Sequence, residues 1–131
     1  MNNVKVTAKI QNLDSPSRTG RLYTEEALKG AFNNRKFIEQ NENNAVPIMT
    51  EDGELIGRAH CSLDYPTINI QGVIDDRFAN VLDGACLTHS GCGHLEFDAD
   101  KGMPIVSDYK LCELLLSTAA YVDCSMEVVK E

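Results

Sequence analysis

The chain has 131 residues, 43% hydrophobic and 24% charged, with a formal net charge of -8, which suits one domain able to bury a core without disulfides or a metal. Its acidic field repels nucleic acid, whose binding needs Lys and Arg to displace counterions, and the one dense basic cluster is Arg35-Lys36. No apolar run approaches the roughly 20 residues of a membrane helix, the start Met1-Asn2-Asn3-Val4-Lys5 lacks an apolar leader core, and the cysteines number five, an odd count, so a reducing cytoplasm with free, mostly buried thiols is expected.

Val4, Val6, Ala8 and Ile10 alternate with polar neighbours, which predicts a half-buried strand. Asn12 to Gly20 reads as a polar loop with Asp14-Ser15-Pro16-Ser17 as its turn. Thr24 is placed to cap a helix whose first turn holds Glu25 and Glu26 and whose apolar face holds Ala27, Leu28, Ala31 and Phe32. Asn33-Asn34 interrupts it, Phe37 and Ile38 give a further turn, and Asn41 to Asn44 ends it. Ala45 to Met49, Leu55 to Leu63 and Thr67 to Asp75 read as three strands, the last with a bulge at Gly72. Turns at Glu51-Asp52-Gly53-Glu54 and Asp64-Tyr65-Pro66 separate them. Phe78 to Leu87 carries helical spacing, His89 to His94 reads as a loop, and Leu95 to Phe97 as a short strand. A turn at Ala99 to Pro104 leads to a helix capped by Ser107 and holding Leu111, Cys112, Leu114 and Leu115. Ala120 to Val129 alternates strictly, the clearest strand after the first. The mixed order of strands and helices predicts a single α+β domain over residues 1–131.

Few residues carry chemical promise. His89, Cys92 and His94 could offer three zinc ligands, with His60, Cys61 or Asp98 as a fourth, although the spacing fits no paired zinc motif. The alternative is a glycine-rich turn with incidental histidines. Ser125 could act as a nucleophile if His60, on a neighbouring strand, accepted its proton; the alternative is a polar outward side chain. Cys92 and Cys124 lack the cationic neighbour that would lower a thiol pKa. Glu51, Asp52 and Glu54 could touch a hard cation, but a solvated turn explains them as well. No cofactor is expected, since no phosphate-cradling glycine loop is present.

Three segments together resemble the bacteriophage head maturation (prohead) protease family. They are Ser17-Arg18-Thr19-Gly20-Arg21-Leu22-Tyr23-Thr24-Glu25-Glu26-Ala27-Leu28, then Val46 to Met49 with Leu55-Ile56-Gly57-Arg58-Ala59 and Ile68 to Asp75, and finally Asp123-Cys124-Ser125-Met126-Glu127-Val128. The resemblance implies a small, antiparallel, partly closed sheet with flanking helices, and it implies that Ser125 stands at the nucleophile's position. The family's histidine follows the apolar strand, where this chain has Thr50-Glu51-Asp52, and His60 comes some ten residues late. A serine without its base loses most of its power. The resemblance therefore implies an inactive protease scaffold serving as an auxiliary or decorating protein of a virus head. Its partners would be capsid or other head and neck proteins, with homo-oligomers allowed, and it would pass from host cytoplasm to virion. An active serine endopeptidase cleaving scaffold or capsid proteins, and a small metal-binding module, are the alternatives.

Overall fold

A computed structural model of the chain describes residues 3–16, 20–43, 45–81, 85–117 and 124–129. The first strand, β1 (Asn3–Ile10), buries Val6, Ala8 and Ile10 and turns Lys5 and Lys9 outward, as its alternation requires. The two-residue β2 (Leu22–Tyr23) runs into α1 (Glu25–Asn33). Thr24 caps α1: its Oγ1 accepts the Ala27 N–H at 3.0 Å, while Glu25 and Glu26 face the positive helix end. Asn34 both stops α1 and starts α2 (Arg35–Asn43), its Oδ1 accepting the Lys36 N–H at 3.0 Å. The second helix is thus a full element rather than a single further turn. It buries Phe37, which packs edge-on against Phe32 with ring centres 5.0 Å apart.

The strands β3 (Val46–Thr50), β4 (Leu55–Asp64) and β5 (Thr67–Asp75) form the expected meander, and β5 continues the sheet to β1. Gly72 causes no bulge. Its register with Val6 and Ala59 is unbroken, and a Cβ there would lie 2.5 Å from the Ala59 Cβ. Close strand approach, not an extra residue, explains that glycine. A 3-10 helix (Asp76–Val81) follows. The expected helix from Phe78 to Leu87 is not continued, because Cys86 and Leu87 already belong to a strand; residues 82–84 lie outside the described residues.

The larger departures come next. The predicted loop at His89 to His94 lies within strand β6 (Cys86–Asp98), and the predicted helix beyond Ser107 lies within strand β7 (Met103–Ser117). Their pairing explains the misreading. Two irregularities leave extra residues on β7: Cys112 between the Gly91–Leu111 and Ser90–Glu113 pairs, and a second between the Cys92–Lys110 and His94–Ser107 pairs, where Asp108 has φ of 50°. The buried residues therefore fall at Val106, Tyr109, Leu111, Leu114 and Leu116. That spacing of three, two, three and two imitates a helical face although the backbone is extended. The last strand, β8 (Cys124–Val129), pairs with β1; residues 120–123 of the predicted strand, like residues 17–19 of the first loop, lie outside the described residues.

The sheet is mixed rather than antiparallel throughout. Its path is β2-β7-β3-β4-β5-β1-β8, with β6 also on β7, and β7 runs parallel to β2 and β3. Strands β6 and β8 approach each other without joining a ladder, so the sheet curls but stays partly open. The core fills its concave face and the underside of α1, where Leu28, Ile48, Ile70, Ile74 and Leu114 are almost wholly inaccessible.

One side chain completes a ladder. The β3–β4 pairing reaches no further than Val46–Ala59, and beyond it the carboxamide of Asn41 on α2 takes the place of a strand. Asn41 Oδ1 accepts the Cys61 N–H at 3.0 Å, and Asn41 Nδ2 donates to the Cys61 carbonyl at 3.0 Å. Asn41→Ala leaves both backbone groups without that partner, and the expected loss is about 2 kcal/mol in equilibrium urea unfolding. Asn41→Asp, which keeps the acceptor alone, is expected to fall between the two.

Candidate functional site

The residues with chemical promise are spread over three strands. His89 pairs across the ladder with Leu114, and its ring packs edge-on against Tyr23 and Tyr109, with centres 4.7 and 5.3 Å away. Its Nδ1 and the Tyr109 Oη share a hydrogen bond of 2.7 Å. Tyr23 completes the cluster at 4.9 Å from Tyr109. Desolvation governs both polar partners: burial holds the His89 imidazole down at about 4 and pushes the Tyr109 phenol well above its usual range. At neutral pH this is an uncharged aromatic knot tying β2, β6 and β7 together. A base at pH 7 must sit within reach of the proton it takes, and the hydrogen-bond partner of His89 is a phenol rather than a serine or cysteine.

His60 and Ser125 are not brought together. The exposed His60 ring bonds through Nδ1 to the Asn41 carbonyl at 2.6 Å, and since a carbonyl only accepts, Nδ1 carries the proton. In the ladder His60 opposes Gln71, Gln71 opposes Thr7, and Thr7 opposes Glu127 on β8; Ser125 lies two residues further along, opposite Lys9. Three strand spacings separate them, roughly 14 Å along the sheet.

The candidate zinc ligands are dispersed as well. His89 turns into the aromatic knot, whereas Cys92 and His94 are exposed and His94 Nε2 lies 3.5 Å from Glu96 Oε1. Among the described residues no three His, Cys, Asp or Glu side chains converge as a metal site. Of the cysteines whose side chains are described, Cys61 and Cys86 are buried and Cys92 and Cys112 exposed; desolvation pushes the Cys61 thiol up to about 12, so it is inert.

One polar pair escaped sequence reasoning. Ser117, at the end of β7 and only 2% exposed, donates through Oγ to Glu51 Oε1 at 3.0 Å. Glu51 occupies the turn after β3. The pair is 66 positions apart in sequence, and Ser117 lay beyond the predicted helix, so no local pattern could have joined them. A carboxylate orients this hydroxyl, and with the serine buried the pair acts as a clasp between the β3–β4 turn and β7.

The exposed large apolar side chains lie elsewhere: Ile38 on α2, Leu55 on β4, and Leu95 and Phe97 on β6. Beyond its buried start at Cys86 and Leu87, β6 becomes exposed from Gly91 to Phe97, with Leu95 46% and Phe97 70% accessible. Together with β7 it forms a hairpin arm whose outer strand β6 is exposed, while β7 stays in the core at Val106, Tyr109 and Leu111. Three cavities of about 460, 690 and 620 Å³ lie along the helices. All are open, and none contains a histidine.

The knot has a pH signature. The unfolded His89 ring takes up a proton near 6.5, while the folded ring stays neutral down to about 4. The stability it supports is therefore complete above pH 6.5 and lost as pH falls toward 4. His89→Gln, which can still bond to Tyr109, is expected to lose up to about 3 kcal/mol less than the wild type across that window in urea titrations at stepped pH. No protein-family model, curated protein or solved structure matches this chain.

Proposed function

We propose that this chain is a structural, non-proteolytic component of a bacteriophage head, built on a maturation-protease-like scaffold and docking on a capsid, head or neck protein through the β6–β7 arm. The observation that carries the reading is Phe97, 70% exposed, with Leu95 on the same face of β6; Ile38 and Leu55 are exposed singly on other elements. Single exposed apolar residues are normal, but two neighbours on one face of an edge strand suit a partner's pocket. The segments that resemble the prohead proteases fall on the elements from Leu22 to Asp75 and on β8, within an α+β, partly open sheet, which supports the scaffold part of the reading. The positions of the three histidines support the absence of proteolysis: one is bonded to a phenol, one to a backbone carbonyl, and one lies beside a carboxylate. The acidic chain suits a basic partner face, host cytoplasm during assembly and the virion afterwards.

Incubation of the purified protein with phage scaffold and capsid proteins under reducing conditions tests the chemistry. Neither the wild type nor Ser125→Ala is expected to cleave them, and cleavage lost in that variant would sink the structural reading in favour of a serine endopeptidase. Binding tests the arm: Phe97→Asp is expected to weaken capsid-protein affinity by about thirtyfold, the usual effect of losing a central apolar anchor. Unchanged affinity in Phe97→Asp and in Leu95→Asp would remove the arm from the interface.

A further inference from the structure

We propose that Cys92 and Cys112 form a redox-active dithiol that a small-molecule disulfide oxidises to an intramolecular disulfide, stapling β6 to β7; the inference stands apart from the reading of the arm as a docking element. Of the cysteines whose side chains are described, Cys61 and Cys86 are buried and Cys92 and Cys112 exposed. The fold brings the two exposed ones to one place. Cys92 opposes Lys110 across the β6–β7 ladder, so these two side chains leave the same face of the sheet. Lys110 and Cys112 are exposed on either side of the buried Leu111, so Cys112 shares that outer face.

A regular ladder would leave the pair too far apart. Diagonal neighbours there sit about 7–8 Å from each other, and a disulfide needs its Cα atoms within roughly 7 Å. Cys112, however, is the extra residue of β7 between the Gly91–Leu111 and Ser90–Glu113 pairs, and a bulge re-aims its side chain. The Cys112 thiol donates to the Lys110 carbonyl at 3.7 Å, which is the level of Cys92 in the ladder. The Cys112 sulfur is also in hydrogen-bonding contact with the side chain and the backbone of Cys92, and burial together with that neighbouring thiol pushes the Cys112 thiol up.

The exchange balances without a metal or cofactor. A thiolate of the pair attacks one sulfur of the small disulfide and expels a small thiolate. The second protein thiolate then attacks the protein sulfur of the mixed disulfide and expels the other small thiolate. The protein loses two protons and two electrons, and the small disulfide gains them as two thiols. Cys61, pushed up to about 12 by desolvation, and the buried Cys86 stay out of the exchange.

The test equilibrates the reduced, folded protein with a series of oxidised-to-reduced glutathione ratios. Denaturation, alkylation with N-ethylmaleimide and peptide mass spectrometry then count and locate the thiols. The wild type is expected to lose two of its five alkylatable thiols as a Cys92–Cys112 cross-link within one chain, and its urea midpoint is expected to rise. In urea, where only chain length holds the thiols together, half-oxidation is expected to need a roughly tenfold more oxidising ratio. Cys92→Ser and Cys112→Ser are expected to stop at a mixed disulfide on the remaining exposed cysteine, with no rise in the midpoint. Four results overturn the proposal. They are a wild type with all its thiols alkylated, one that halts at the mixed disulfide, one cross-linked through a different cysteine or a second chain, and a pair that oxidises as easily in urea as in the folded protein.

Discussion

Strand β7 is hydrogen-bonded to three other strands, and the rest of the molecule is arranged around that demand. Along one edge it meets β6 for almost its whole length; along the other it meets β2 near its start and β3 near its end. A 15-residue strand cannot remain regular while serving neighbours of different direction in a curled sheet. The two extra residues at Cys112 and around Asp108 supply the bend. Between β2 and β3, α1 lies against β7 and buries Leu28 in the core. Without the bends the inward residues Tyr109, Leu111 and Leu114 would not all reach the same side.

The aromatic knot follows from the same strand. Tyr109 stands between the bends and meets His89 from β6 and Tyr23 from β2. On β7 the core continues past the knot to Val106, while the paired stretch of β6 is exposed. Desolvation keeps the imidazole of the half-buried His89 neutral, and its hydrogen bond to the buried Tyr109 fixes how β6 lies on β7. Asn41 and the Ser117–Glu51 pair do comparable work at two other places where a ladder or a turn would leave polar groups exposed to the core.

These features bear on function in one direction. Two of the exposed large apolar side chains, Leu95 and Phe97, share one face of β6, whereas the residues with catalytic chemistry are separated or engaged. A histidine that donates to a carbonyl, or one held neutral against a phenol, has its orientation set by structure rather than poised for a substrate. Sheet pairing depends on backbone and burial, whereas catalysis depends on two or three side chains meeting within hydrogen-bond distance.

From β1 to β5 the local pattern located most elements, although it missed the length of α2 and the regular register at Gly72. Alternation over Val4 to Ile10, the Thr24 cap with its two glutamates, and the meander from Val46 to Asp75 are all visible in sequence, since each element satisfies its hydrogen bonds and burial within its own neighbourhood. Beyond Phe78 the period misled. Leu111 and Leu114 are three apart because a strand bulges, and His89 to His94 looked like a loop because glycines line an edge. Composition alone determined that this chain carries a net charge of -8. Only the tertiary structure decided which side of β7 each residue faces, that His89 points at a phenol, and that Ser125 and His60 lie three strands apart. Those outcomes depend on pairings between segments tens of residues distant, where hydrogen bonds and burial leave no local trace in the sequence.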